Sequence, residues 1–233
     1  MVTGTRRLRK QLLIDSGMEA IELSGVKLKL LSDKAIYLSD VNSLLVSDVH
    51  LGKSETFQAA GIPVSNQVNQ ATLQRLQTLC ETFQPETLFI LGDLFHSKFA
   101  LVDEVLECWF QFLATTQVDV TLILGNHDRA LISTLKQLSI DCITTPIQVE
   151  NVVLSHEPSP QPGCLNICGH VHPCVRLKSK LDNLRLPCFY LDHAQNMLIL
   201  PSFGEFTGGY EMPLTRNSTA YVIAGDRVIA ING

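Results

Sequence analysis

The chain has no long apolar run, no paired cysteines, no excess of positive charge and no flexible linker, and each absence removes a class of function. No stretch approaches the ~20 apolar residues that cross a bilayer, so no membrane role is expected. The basic opening, Met1 to Lys10, is followed only by Leu12 to Ile14 before Asp15 interrupts. That is too little for the apolar heart of a signal peptide, and the expected location is the cytoplasm. Seven cysteines, an odd number without a CxxC pair, fit a reduced compartment rather than a disulfide framework. Cys164, Cys168 and Cys174 match no familiar zinc module, and cysteine is a common buried small hydrophobe. A net charge of −5 argues against a broad electrostatic grip on nucleic acid, though not against a local one. The basic clusters Arg6 to Lys10 and Arg176 to Arg185 read as solvated surface before they read as binding patches.

What remains is an ordinary globular composition, 45% hydrophobic and 18% charged over 233 residues. With no repeat and no Pro/Gly-rich divider, one domain over 1–233 is expected, including a β-rich end at 186–233. Short strands are expected at Ala20 to Leu23, Lys27 to Leu31, Ala35 to Leu38 and Ser43 to Ser47. Ser65 fits the N-cap of a helix running to Phe83 and stopped by Pro85, because Val68, Leu73, Leu76, Leu79, Cys80 and Phe83 recur near a 3.6 period. Strand Thr87 to Leu91, helix Val102 to Ala114, strand Val118 to Leu124 and helix Arg129 to Leu138 then alternate, the pattern of βαβ units on a largely parallel sheet. The later runs are β-like with few helices: Val152 to Ser155, Leu165 to Cys168, Cys174 to Leu177, Cys188 to Leu191, Met197 to Leu200, and a hairpin from Tyr221 to Ile231. A second, more antiparallel sheet is expected there.

Five polar motifs each follow a β-like apolar run: Asp48-Val49-His50, Gly92-Asp93, Gly125-Asn126-His127-Asp128, Ser155-His156 and Gly169-His170-Val171-His172. Loops leaving the carboxyl ends of strands converge where ligands bind, so all five can face one crevice. Carboxylate, amide oxygen and imidazole are donors for manganese, iron or zinc, and the absence of cysteine argues against a structural zinc site. Asp48 and His50, two apart, would share a face of an extended backbone, and the same holds for His170 and His172. The glycines before Asp93, Asn126 and His170 would let backbone approach closely where side chains crowd, and Gly52 would let the chain turn away. Singly each motif is weak, because Asp-x-His or Gly-Asp is more often a turn. Together they are strong: of seven histidines, five lie in these segments and His96 follows Gly92-Asp93 by three residues, which leaves only His193, read as turn or surface, away from them.

In this order, the motifs resemble the calcineurin-like metallophosphoesterase superfamily. The resemblance implies a four-layer αββα sandwich of mixed sheets and two divalent metals. Asp48, His50, Asp93 and His172 would hold one ion, and Asp93, Asn126, His156 and His170 the other. Leu51-Gly52-Lys53, Ala60-Gly61-Ile62-Pro63, Gly92-Asp93-Leu94-Phe95-His96, Gly125 to Arg129, Ser155 to Pro158, Gly169 to Pro173 and Leu200 to Gly209 look like the bacterial PdeM group. That group is described as DNA-ligase-associated DNA-damage-response phosphoesterases or endonucleases, which implies a phosphodiester substrate, DNA, and a ligase or helicase repair system as partner. His96 stands where many superfamily members carry Asp, and the same Gly-Asp-Leu-Phe-His occurs in the nuclease subunit of the double-strand-break repair complex. Manganese is the ion expected first, with iron or zinc as alternatives.

Two metals about 3.5 to 4 Å apart would supply a bridging hydroxide that attacks phosphorus. His127 is the candidate general acid, oriented by Asp128, or else only a hydrogen-bonding neighbour of the ligands. His96 is read either as a contact to the phosphate or leaving group or as structural. Lys53, Lys98 and Arg129 are candidates to hold phosphates, against solvated surface as the plainer reading. Phe203, Phe206 and Tyr210 are read as core before they are read as a base-stacking wall. The competing functions are a small-nucleotide phosphoesterase, which the negative charge favours, and a non-catalytic scaffold, which would have lost ligands.

Overall fold

The structure is a computed structural model, described for residues 17–65, 67–178, 183–205 and 207–233. The cluster Arg6 to Lys10, Lys180 and Phe206 lie outside the described residues. The first sheet has seven strands in sequence order: β1 (Met18–Leu23), β2 (Val26–Leu31), β3 (Ala35–Leu38), β4 (Ser43–Val46), β5 (Thr87–Ile90), β6 (Asp119–Ile123) and β7 (Asp141–Ile143). β1 to β4 are antiparallel neighbours, whereas β4 to β7 pair in parallel. Tight turns suffice for the first group, and helical crossovers make the second possible.

Those crossovers are α1 (Lys53–Ala59) and α2 (Gln67–Phe83) between β4 and β5, and α3 (Asp103–Thr116) between β5 and β6. Ser65 caps α2 as expected, its Oγ accepting the Gln67 N–H at 3.3 Å. Leu73, Leu76, Leu79 and Cys80 form the buried stripe of α2. Gln84, at φ 48, turns the chain out of the helix before Pro85. The helix expected over Arg129 to Leu138 is shorter: a 3₁₀ turn, Arg129–Leu131, leads into α4 (Ile132–Leu135). α1 and β7, with few apolar residues each, were not foreseen.

The second sheet contains β8 (Ile147–Val149), β9 (Val152–Ser155), β10 (Leu165–Cys168), β11 (Pro173–Lys178), β12 (Asn183–Asp192), β13 (Met197–Ile199), β14 (Tyr210–Glu211), β15 (Ser218–Ala224) and β16 (Arg227–Asn232). Its order is β14-β11-β12-β13-β10-β9-β8, with β15 against β12 and β16 against β15. It is mixed, since β9 and β13 both run parallel to β10 while the β11–β12 and β15–β16 hairpins are antiparallel.

The core explains why β4 reads as a continuous apolar run. Leu44 and Val46 face α2 and α3, packing with Leu76, Trp109 and Phe112, while Leu45 faces the other sheet with Leu154, Ile167 and Phe189. A strand covered on both faces cannot alternate polar and apolar. Each such fully buried side chain contributes about 1.5–3 kcal/mol of transfer free energy. The fold is therefore α/β, two mixed sheets packed face to face, with α2 and α3 against the outer face of the first. On the far face of the second sheet, Cys168, Val175, Cys188, Tyr190 and Met197 form a third cluster, with Val171, Leu177, Leu186, Met212 and Ile231 partly buried against it. No described helix is long and apolar enough to cross a membrane.

Candidate metal centre

All five motifs leave the carboxyl ends of β4, β5, β6, β9 and β10, each a member of a parallel pair. The loops are sewn together by backbone. Asp48 and His50 donate N–H bonds to the Gly92 and Asp93 carbonyls at 3.1 and 2.9 Å, and Gly169 donates to the His156 carbonyl at 2.9 Å. Five of the seven expected ligands have left-handed backbone: Asp48 (φ 54), His50 (φ 50), Asp93 (φ 55), His170 (φ 65) and His172 (φ 53). Non-glycine residues adopt this conformation at a cost, and such strain concentrates at functional sites. The backbone is therefore not extended where Asp48 and His50 were expected to share a face. They meet all the same, with His172.

The glycines act as expected. A Cβ on Gly92 would fall on the His156 ring, one on Gly125 on the Asp93 carboxylate, and one on Gly169 on the Ser47 hydroxyl and Asp48 carboxylate. Gly52, at φ 71, turns the chain into α1. Asn69 fixes that turn, accepting the Gly52 N–H at 2.9 Å and donating to the buried Glu55 carboxylate at 2.9 Å.

Among the described residues, ligand atoms gather in three groups, each with its donor atoms within 4.8 Å of one another: two triads that each contain a carboxylate, Asp48, His50 and His172, and Asp93, His156 and His170, and an all-imidazole group of His50, His96 and His127. His170 and His172, two apart, thus join different triads rather than one. In the second triad the His156 Nδ1 lies 2.9 Å from the Leu91 carbonyl, and its Nε2 lies 3.1 Å from both Asn126 Oδ1 and His170 Nδ1. With Nδ1–H donated to a carbonyl, the Nε2 lone pair points at its neighbours, the arrangement in which imidazole ligates a cation. Asp93 Oδ2 is 3.7 Å from that nitrogen. In the first triad, His172 Nδ1 lies 3.2 Å from the Gly208 carbonyl, and Nε2 lies 3.1 Å from Asp48 Oδ1.

Burial pushes the His50 ring down to about 3, which keeps it neutral and able to ligate. Burial also raises the Asp93 carboxyl. For Asp48, burial pushes upward but the His172 contact and the Ser47 hydroxyl outweigh it, so the carboxyl is held below its usual range. Burial pushes His172 down, and the Asp48 contact reverses this to leave it raised.

Asp48 Oδ1 is buried without a hydrogen-bond partner, although an imidazole nitrogen lies beside it. An orphaned buried carboxylate oxygen is costly unless something cationic sits against it. Together with the donor set of carboxylates, imidazoles and one amide oxygen, it fits a divalent metal.

Beside the triads, His127 donates its backbone N–H to Asp93 Oδ1 at 3.0 Å, and its Nδ1 lies 2.6 Å from the His96 carbonyl. Its ring stacks on that of His96 at 5.0 Å between centroids. The expectation that Asp128 orients His127 is not met. The Asp128 carboxylate is wholly buried and accepts N–H bonds from Asp93, Leu94 and Gly125 at 2.7, 3.1 and 3.0 Å. It pins the second and third motifs together, and burial pushes it up to about 6. The His96 ring lies 3.5 Å from His50, Nδ1 to Nδ1. Burial first, then the nearby Lys53 and His127, lowers it to about 4.

Lys53 is half-buried beside these rings, Lys98 is exposed with its ammonium over Phe99, and Arg129 lines a cavity of about 220 Å³ that also touches His156. Phe203 is core, with the Arg75 guanidinium over its ring at 4.3 Å, while Tyr210 is exposed. His193 sits apart, its Nε2 2.9 Å from Thr219 Oγ1. What sequence reasoning missed is that the segment around Phe203 is the clasp of the first triad. Ser202 Oγ donates to the Asp48 carbonyl at 2.8 Å, Phe203 and Gly204 N–H donate to the Ser47 and Asp48 carbonyls, and Gly208 receives His172. Arg75 holds this clasp from α2, bonding the Phe203 carbonyl and pairing with Glu205 at 2.6 Å.

A sequence model of calcineurin-like phosphoesterases matches residues 42–195, a span holding every candidate ligand. The chain belongs to the calcineurin-like phosphoesterase family. It is also similar to the crystal structure of Pseudomonas putida nuclease MPE, at 36% identity and a TM-score of 0.80, over 92% of this chain and 100% of that one. No curated protein sequence matches it. As a calcineurin-like phosphoesterase it is a metal-dependent hydrolase of phosphoesters, and its His/Asp triads offer seats for divalent ions.

Proposed function

We propose that this phosphoesterase is a two-metal phosphodiesterase that cleaves DNA. The carrying observation is the pair of adjoining triads, each one carboxylate and two imidazoles, beside a half-exposed His127. Asp48, His50 and His172 would hold one ion, Asn126, His156 and His170 the other, with Asp93 shared. Bound ions, manganese first among those the donors accept, would supply Lewis acidity to the phosphate and a reactive water at neutral pH.

The chain's own groups supply the rest. With Nδ1–H held by the His96 carbonyl, His127 presents Nε2 to the site, where an N–H would give its proton to the leaving oxygen. The Asp93 carboxylate lies 3.9 Å from that Nε2. His96, lowered to about 4, stays neutral and would touch the scissile phosphate. Lys53, Lys98 and Arg129 would hold phosphates through charge. The nuclease relative supports a nucleic-acid substrate. The PdeM-like motifs support cytoplasmic work in DNA repair beside a ligase.

Purified protein given Mn²⁺ should hydrolyse bis(4-nitrophenyl) phosphate and then single- or double-stranded DNA. Diester turnover without DNA cleavage would leave the small-nucleotide phosphoesterase, the reading that the net charge of −5 favours. No turnover of any phosphoester would leave the scaffold.

A further inference from the structure

We propose that the cavity beside His172 seats the phosphate next to the one being cut, gripped by Lys34 and Arg185. This deepens the phosphodiesterase reading and rests on it. The cavity measures about 270 Å³ and is lined by Lys34, His172, Arg185, Thr207, Gly208 and Gly209 among others. His172 belongs to the first triad and also lines this cavity, so the two sites share a wall.

Its charge suits an anion although the whole chain is acidic. Glu205 is the carboxylate nearby, and Arg75 already pairs with it at 2.6 Å, against 3.5 Å for Lys34. The ammonium of Lys34 is therefore only loosely engaged. Arg185 donates from Nε to Cys174 Sγ at 3.0 Å and from Nη2 to the Gly209 carbonyl. Two of its five N–H donors thus hold the guanidinium in place, and no carboxylate among the described residues pairs with it. A guanidinium fixed in advance loses little side-chain entropy on meeting a phosphate, and its planar fork suits phosphate oxygens. Gly208 leaves the wall open, since a Cβ there would meet nothing within 4 Å. A lone Lys/Arg cluster on the surface would be solvated, but these two cations come from β12 and the β2–β3 turn to face one cavity that ends on a candidate ligand. An aryl diester or a cyclic nucleotide has no second phosphate to place there. The cavity would thus favour a strand over a small nucleotide.

The test uses single-stranded thymidine oligonucleotides in which one phosphate at a time is replaced by a neutral methylphosphonate, with cleavage sites mapped by product length in Mn²⁺. In the wild-type protein, neutralising the phosphate on one side of a linkage should lower kcat/KM for cutting it by about tenfold, the worth of a charge-assisted contact. Neutralising the other side should matter less. In Arg185→Ala and Lys34→Ala that asymmetry should shrink to about twofold or less, while Arg185→Lys keeps part of it. Equal cutting beside charged and neutral linkages in the wild type overturns the proposal. So does an asymmetry that survives in both alanine variants. A wild type that turns over bis(4-nitrophenyl) phosphate but shows no asymmetry rejects this subsite alone. One that hydrolyses no diester rejects the phosphodiesterase reading as well.

Discussion

His127 Nδ1 lies 2.6 Å from the carbonyl oxygen of His96, and this contact, not Asp128, fixes the ring. The carbonyl accepts the hydrogen bond from Nδ1–H and so turns Nε2 toward the site. His127→Ala should therefore lower kcat by about 10²–10⁴-fold on DNA, whose leaving alkoxide needs a proton. On bis(4-nitrophenyl) phosphate, whose leaving group is stable as the anion, the loss should be far smaller. Parallel kinetics on the two substrates check this, and equal losses on both would remove the proton-donor role.

Gly92 makes room for His156, and its φ of 84 disfavours any side chain. Gly92→Ala should push the His156 ring off its Leu91 anchor and cost about 1–3 kcal/mol. Thermal denaturation should show the lower stability, and elemental analysis should show less metal retained than in the wild type.

Asp128→Asn would set an amide NH₂ against one of the backbone N–H groups that its two oxygens accept. The loss should be about 1–3 kcal/mol for the buried donor left unpaired, or more. Activity should fall with it on both diester substrates alike, because the damage is to the joint between the second and third motifs. A loss confined to DNA would instead restore Asp128 as an orienter of His127.

Arg75 touches no candidate ligand, yet it anchors the clasp that holds Asp48. Arg75→Ala should cost about 1–2 kcal/mol, from the cation–π contact and the bond to the Phe203 carbonyl. Arg75→Lys should recover little, since an ammonium cannot span both the carbonyl and Glu205. Denaturant melts of the two variants measure this.

The candidate ligands were legible in the sequence because a metal seat needs particular donor atoms, and donor atoms are residue types. The long elements were legible for a similar reason: the Leu73, Leu76, Leu79 stripe of α2 and the doubly covered β4 are patterns of burial. Backbone contacts leave no such trace. The Ser202-to-Gly208 clasp works largely through N–H and carbonyl groups, which every residue carries, so its run of Phe and Gly suggested core or stacking rather than support for Asp48. Asp128 misled because adjacency to His127 implied a side-chain contact, whereas its carboxylate turns inward to three N–H groups. Arg185 read as surface charge because only the fold brings β12 opposite Lys34.

The most direct measurement of the central claim is diester turnover as a function of metal loaded into chelator-stripped protein. Turnover of bis(4-nitrophenyl) phosphate should be absent after stripping and rise with added Mn²⁺ to a plateau near about two ions per chain. Asp93→Asn, at the carboxylate proposed to be shared by both ions, should not reach that plateau. Full turnover by the stripped protein, or an Asp93→Asn variant as active as the wild type, would contradict the account.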